Sequence, residues 1–306
     1  MIPRPRTATS LARLASGWAA GGFGFLVVML GGWWFTLAVG VIVHLALLEF
    51  FRMARFKGIR PAIRTTLVAV QLLLLCTQAA AGSGWFAPEV AADLVAAVLP
   101  ASGAVICGWL LLQPSTGTIA DIAASIFGLF YLGYLPSHWI KLRALADPAL
   151  APSLTNTTLP STGWPWTSGL ALTLLACFLI VATDLGGYAI GRRWGRHPLS
   201  PISPGKTVEG ALGGMACALL VGAAGGLWLG WRWGGLLGGL LGVVVSVFAL
   251  VGDLTESMMK RDAGLKDSGD AIPGHGGILD RIDSYLFVPA VVYSLVTLVV
   301  PLLQRG

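Results

Sequence analysis

The chain has 306 residues, of which 56% are hydrophobic and only 11% charged, with a mean hydropathy of +0.78. A soluble domain is nearer half apolar and needs more charge to cover its surface, so one large soluble core is excluded and an integral membrane protein is expected. The 20 Lys and Arg exceed the 14 Asp and Glu to give a net charge of +6, but the basic residues fall in short clusters between apolar runs, which fits membrane orientation rather than nucleic-acid binding.

Met1 to Ala15, with Arg4, Arg6 and Arg13, reads as a basic arm. Trp18 to Phe51 is a largely apolar stretch of 34 residues, long for one helix of about 20 residues, and is divided at Gly31-Gly32 into two spans, the first one short. Because the first run leads straight into another span, it does not read as a cleaved leader. Arg52 to Arg64 is a basic connector (Arg52, Arg55, Lys57, Arg60, Arg64), followed by spans near Thr65 to Ala81, Glu89 to Leu112 and Gly117 to Pro136. Ser137 to Pro165 is more polar. Its start, SHWIKLRAL, is predicted to be an interfacial helix with Trp139 and Lys141 at headgroup depth. Asn156-Thr157-Thr158 matches a glycosylation sequon, which matters only in a glycosylating host. The last spans fall near Thr167 to Ile190, Val208 to Leu229, Gly234 to Val251 and Tyr285 to Leu303.

The expected fold is therefore all-α, a polytopic membrane helical bundle of about nine transmembrane helices with a cytoplasmic N-terminus. Residues 1–166 would hold about five spans and the polar connector. Residues 167–306 would hold about four spans and the catalytic loops 191–207 and 253–283. On this topology only Lys141, Arg143, Arg232 and Arg305 of the 20 basic residues lie on the outer side, in line with the positive-inside rule. Cys76, Cys107, Cys177 and Cys217 stand singly in apolar segments, with neither metal spacing nor a disulfide framework. His44, Glu49, Asp93, Asp121, His138 and His197 are expected to mark membrane interfaces.

Gly252 to Asp283 reverses this composition. Asp253, Glu256, Ser257 and Lys260 recur at offsets of three, four and seven, so on a helix they share one face. Asp280 and Asp283 are likewise three apart and would point the same way from a second helix. Pro273-Gly274-His275-Gly276-Gly277 lies between, and its glycines permit close approach of backbone to a ligand.

A second polar island runs from Thr183 to Gly214. Asp184 stands one turn before the end of an apolar run, and a charge at such a depth is functional by default. Ser203-Pro204-Gly205-Lys206-Thr207 invites a P-loop reading, but the required glycine position is Ser200, which excludes it. Thr207 and Glu209 sit where the next helix starts, so its free N–H groups and dipole suit an anion beside Lys206.

Ser257-x-Met259-Lys260-Arg261, then Lys266-Asp267-x-Gly269, then Ile272-Pro273-x-His275-Gly276-Gly277-Ile278-x-Asp280-Arg281-Ile282-Asp283 resembles the signature of the phosphatidate cytidylyltransferases, or CDP-diacylglycerol synthases. Asp184, Tyr188, Gly191, Gly195 and Ile202-Ser203-Pro204-x-Lys206-Thr207-x-Glu209-Gly210 resemble the same family, with Gly187 departing where a residue such as Ala is expected. The resemblance implies transfer of a cytidylyl group from CTP to phosphatidate, giving CDP-diacylglycerol and pyrophosphate in phospholipid biosynthesis. It also implies an enzyme in the lipid bilayer with its active-site loops on the cytoplasmic side, homodimer formation being left open.

Phosphatidate is already anionic, so no nucleophile needs activation; the task is to bring two anions together and neutralise the departing pyrophosphate. That calls for Mg²⁺, with a second metal ion as an option. Asp253 and Asp280 are the first choice of ligands, Asp283 and Asp184 the second. Lys206, Lys260, Arg261 and Lys266 would hold the triphosphate, and Ser203 and Ser257 would donate to it or bind metal. His275 would orient a phosphate or assist a proton transfer. Tyr188, Thr207, Glu209, Asp267 and Arg281 complete the substrate-binding set. Two other classes share this composition: a transporter, which predicts charges mid-span in matching halves, and a CTP-dependent lipid kinase.

Overall fold

A computed structural model describes residues 21–82, 87–154, 166–269 and 276–305. Eight helical stretches among them are long and apolar enough to cross a membrane. They are α2 (Gly32–Phe56), α3 (Ile63–Gly82), α4 (Pro88–Leu111), the pair α5 (Ile119–Leu129) and α6 (Leu135–Arg143), α7 (Ser168–Trp194), α8 (Val208–Leu229), α9 (Gly234–Asp262), and the run α10 (Leu279–Ile282), α11 (Val288–Ser294) and α12 (Val300–Arg305). A shorter apolar helix, α1 (Gly21–Leu30), precedes them. The break at Gly31-Gly32 falls as expected, with positive φ of 63° and 51° at the two glycines. At 1.5 Å per residue α1 measures only about 15 Å, half the hydrocarbon thickness.

Polar contacts show which helix ends lie together. Lys57, just after α2, pairs with Asp262 at the end of α9 at 3.1 Å. Asp121 accepts from the Arg60 backbone N–H at 2.6 Å and closes a capping box with Thr118 at the start of α5. Arg60 also donates to Ser115 at 2.9 Å. The turns after α2, α4 and α9 thus share one end of the bundle. Asp121 does not mark an interface with water, since it is buried and spends its carboxylate on capping two backbone segments.

At the opposite end Arg143 donates to the carbonyls of Val28 at 2.7 Å and Met29 at 3.2 Å, capping the C-terminus of α1. Two single turns of 3₁₀ helix, Pro148–Leu150 and Pro152–Leu154, pack there under the α8–α9 turn, where Trp231 Nε1 donates to the Leu150 carbonyl at 2.8 Å.

The interfacial helix expected from Ser137 is instead the continuation of a span. A π turn over Phe130–Tyr134 widens the helix and α6 runs on to Arg143. Ser137, His138 and Trp139 are buried in the bundle, and Trp139 Nε1 donates to the Tyr285 carbonyl at 3.1 Å. His44 also departs from expectation: α2 continues to Phe56, so this histidine sits midway along the helix, not near its end. The sequon Asn156-Thr157-Thr158 lies outside the described residues.

Helices α7, α8 and α9 pack as one layer through small residues. A Cβ on Gly222 or Gly238 would run into the other residue's carbonyl, so these two glycines set the α8–α9 distance. Close backbone approach of this kind replaces the hydrophobic drive that lipid cannot supply. Among the described residues β1 (Pro198–Ser200) and β2 (Ser203–Thr207) form an antiparallel hairpin between α7 and α8.

Candidate active site

The site forms at the bundle end that carries the α2, α4 and α9 turns. The last three turns of α9 present Asp253, Ser257 and Lys260 as their spacing predicts, with Ser257 Oγ 3.4 Å from Asp253 Oδ1. The hairpin delivers Lys206, whose ammonium pairs with Asp253 Oδ2. Lys260 lies between two carboxylates, 2.5 Å from Glu256 and 2.6 Å from Asp280. Glu256 is fully buried, which an unpaired carboxylate would not tolerate.

The hairpin is anchored at its base. Glu209, in the first turn of α8, accepts from the backbone N–H groups of Arg196 at 3.0 Å and His197 at 3.2 Å, and its other oxygen is 2.6 Å from His197 Nδ1. Thr207 caps α8 by accepting from the Gly210 N–H at 3.1 Å. The structure thus directs Glu209 to the chain leading into β1, which fixes where the hairpin presents Lys206.

A cleft of ≈ 440 Å³ opens between α7, α8, α9 and the hairpin, with Asp184, Tyr188, Arg192, Lys206, Thr207 and Asp253 on its walls. Arg192 donates to the Tyr188 hydroxyl at 2.6 Å. Asp184, Asp253 and Asp283 are within electrostatic reach of one another and of Lys206. Gly252 allows this, because a Cβ there would collide with the Asp283 carbonyl. The donors are hard carboxylate oxygens, chemistry that suits Mg²⁺. Among the described residues no three such side chains close around a single point tightly enough to hold an ion unaided. That fits an ion completed by water and substrate phosphates.

Asp280 is placed differently from Asp253. Its Oδ1 meets Lys260, while its Oδ2 accepts from the Ser268 N–H at 3.0 Å and the Gly277 N–H at 2.8 Å, with the Ser268 hydroxyl oxygen 3.0 Å away. Both oxygens are committed to the protein. Beside it sits Glu49 of α2, buried and not at a water interface as expected. It accepts from the N–H groups of Ile278 and Leu279 and from the Ser268 hydroxyl, each at 2.9 Å.

Of the remaining candidates, Arg261 turns back to the Leu265 carbonyl at 3.2 Å, and Lys266, Asp267 and Arg281 are exposed at the same end. Ser203 begins β2. His275 lies outside the described residues. Sequence reasoning missed Glu49, Ser268 and Arg192 as site residues. Glu256 was visible in the α9 spacing without being assigned a role.

A polytopic α-helical membrane protein with an anion-receptive, carboxylate-lined cleft at one bundle end is the class that fold and site define. Within that class the chain belongs to the cytidylyltransferase family, whose model matches residues 11–299. It is 48% identical over 290 residues to a phosphatidate cytidylyltransferase of Synechocystis sp., covering 92% of this chain and 94% of that one. Similarity extends to phosphatidate cytidylyltransferase 4, chloroplastic, of Arabidopsis thaliana, 38% identical over 88% of this chain and 69% of the relative. The Bacillus subtilis phosphatidate cytidylyltransferase is 32% identical over 90% and 93% of the two chains. The chain is a CTP-dependent nucleotidyltransferase.

Proposed function

We propose that the chain transfers CMP from CTP to phosphatidate, forming CDP-diacylglycerol and pyrophosphate. The observation that carries this reading is the meeting of Asp184, Lys206 and Asp253 in one cleft, from two motifs that the sequence keeps apart. Phosphatidate's phosphate oxygen attacks the α-phosphorus of CTP, the bond from that phosphorus to the bridging oxygen breaks, and pyrophosphate leaves. No proton need be removed from the nucleophile, which is consistent with a cleft wall of carboxylates and cations.

Mg²⁺, when bound, supplies charge neutralisation between the phosphates. Asp253 is its first ligand in this proposal, with Asp184 and Asp283 as the neighbours able to share it. Asp280 moves to a second place, since its oxygens hold Lys260, Ser268 and Gly277. Lys206 receives the triphosphate on exchanging Asp253 for substrate, and Lys260 is oriented for the leaving group by Glu256 and Asp280. Arg192 and Tyr188, at the cleft wall nearest the exposed apolar flank of α7, meet the lipid headgroup.

The α2–α3, β1–β2 and α9–α10 connections are assigned to the cytoplasmic side, where CTP is made, with the basic residues of the α2–α3 connector supporting that side. A transporter is disfavoured because the carboxylates collect at one bundle end instead of mid-span in matching halves.

Purified protein supplied with phosphatidate, Mg²⁺ and α-labelled CTP should place label in the lipid fraction, while label from γ-labelled CTP should leave as pyrophosphate. The opposite distribution would establish a kinase.

A further inference from the structure

We propose that Glu49, on the N-terminal span α2, is a positioning residue for cytidylyl transfer: it clamps Ser268-Gly269 to Gly277-Leu279 and through Ser268 holds Asp280 and Lys260 in their working arrangement. The partners of Glu49 are 219 to 230 residues away in sequence, so nothing local to α2 requires a carboxylate there. Its two oxygens accept three hydrogen bonds, from Ile278 N–H at Oε1 and from Leu279 N–H and Ser268 Oγ at Oε2. Gly269 and Gly277 make room for the group: a Cβ on Gly269 would stand 2.6 Å from Oε1, and one on Gly277 would collide with Oε2.

Ser268 is the link to the chemistry. A hydroxyl has one proton to donate, and Ser268 Oγ stands 2.9 Å from Glu49 and 3.0 Å from Asp280. Asp280 in turn holds Lys260 at 2.6 Å. The hydroxyl proton serves one carboxylate at a time, so what Glu49 secures for Asp280 is the position of the Ser268 and Gly277 N–H groups that donate to it. Displacing Glu49 frees both chain segments, loosens that oxygen of Asp280 and lets Lys260 swing toward Glu256 alone.

Glu49→Gln tests this with little change of volume. Both carboxylate oxygens accept from N–H groups, so an amide NH₂ in either orientation faces another donor. The inference rests on the cytidylyl-transfer reading, and wild-type turnover of CTP with phosphatidate in the same assay keeps the two failures apart. Full-length Glu49→Gln, Ser268→Ala and the double variant are compared by steady-state kinetics in detergent. Glu49→Gln should lower kcat at least about tenfold, the loss expected for charge-assisted hydrogen bonds, while KM for CTP changes far less. The double variant should be no worse than the poorer single one, because both act through one chain of contacts. Wild-type kcat in folded Glu49→Gln, or losses that multiply in the double variant, would overturn the proposal. If Glu49→Gln does not accumulate folded, Gly269→Ala perturbs the same clamp from the other side, and the same cycle with Ser268→Ala decides by the same criterion.

Discussion

Lys206 of β2 and Asp253 of α9, 47 residues apart, are ion-paired in the wall of the cleft. Their side chains are 29% and 26% exposed, and pairs that keep contact with water contribute only about 0 to 1 kcal/mol to stability. The pair is thus better placed for substrate than for holding the fold. Lys206→Ala should lower kcat/KM for CTP by about 10²-fold or more and leave the thermal midpoint in detergent nearly unchanged. A variant that melts early while keeping its turnover would assign the pair to structure.

The α8–α9 contact gives a stability prediction whose sign is diagnostic. Replacing a helical glycine with alanine ordinarily stabilises by about 1 kcal/mol, and Gly108 in α4, with nothing near its missing Cβ, should follow that rule. Gly238→Ala should do the reverse, because the new methyl meets the Gly222 carbonyl. Thermal melts of the two variants should move in opposite directions; a stabilised Gly238→Ala would mean the two helices can separate freely.

Much of this architecture is readable in the sequence, and the exceptions have physical causes. The offsets of Asp253, Ser257 and Lys260 place them on one face of α9 because that stretch is a continuous helix with local periodicity. Trp139 and Lys141 look like headgroup anchors, so the sequence from Ser137 suggests an interfacial helix; the π turn before them carries the span onward instead. Glu49, Asp121 and His138 read as interface residues because burial is a tertiary property that apolar flanks do not reveal. The partners of Glu49 are backbone N–H groups and a serine hydroxyl, and these have no signature in residue type. The same holds for Asp280, whose place in a motif could not tell whether its oxygens face solvent or the chain.

The sharing of one bundle end by Lys57 and Asp262 makes a topological prediction. In a background lacking the four native cysteines, Lys57→Cys and Lys266→Cys should react with an impermeant thiol reagent from the same side, the cytoplasmic one. Ser153→Cys, beside the α8–α9 turn at the other end, should react from the opposite side. Labelling of Lys57→Cys and Lys266→Cys from different faces would break the assignment of the helix ends.

Asp253 and Asp280 separate the metal-binding role from the positioning role. Both carry a carboxylate three or four residues from another member of the signature, and spacing alone makes them equivalent. The structure gives them different surroundings: Asp253 faces the cleft beside Lys206, with Asp184 and Asp283 in reach, whereas Asp280 is bonded to Lys260, Ser268 and Gly277. Removing a ligand charge weakens the hold on a divalent ion, and excess ion can offset that weakening. Asp253→Asn should therefore shift the Mg²⁺ concentration for half-maximal activity upward, with partial recovery of rate at high Mg²⁺. Asp280→Asn places an amide NH₂ where two N–H groups already donate or where the Lys260 ammonium does, so it should lower kcat by about 10²-fold at every Mg²⁺ concentration and leave the half-maximal point in place. Magnesium titrations of turnover for both variants decide the matter. A shifted Mg²⁺ requirement in Asp280→Asn, with none in Asp253→Asn, would return the metal to Asp280 and require the contacts of that carboxylate to rearrange when substrate binds.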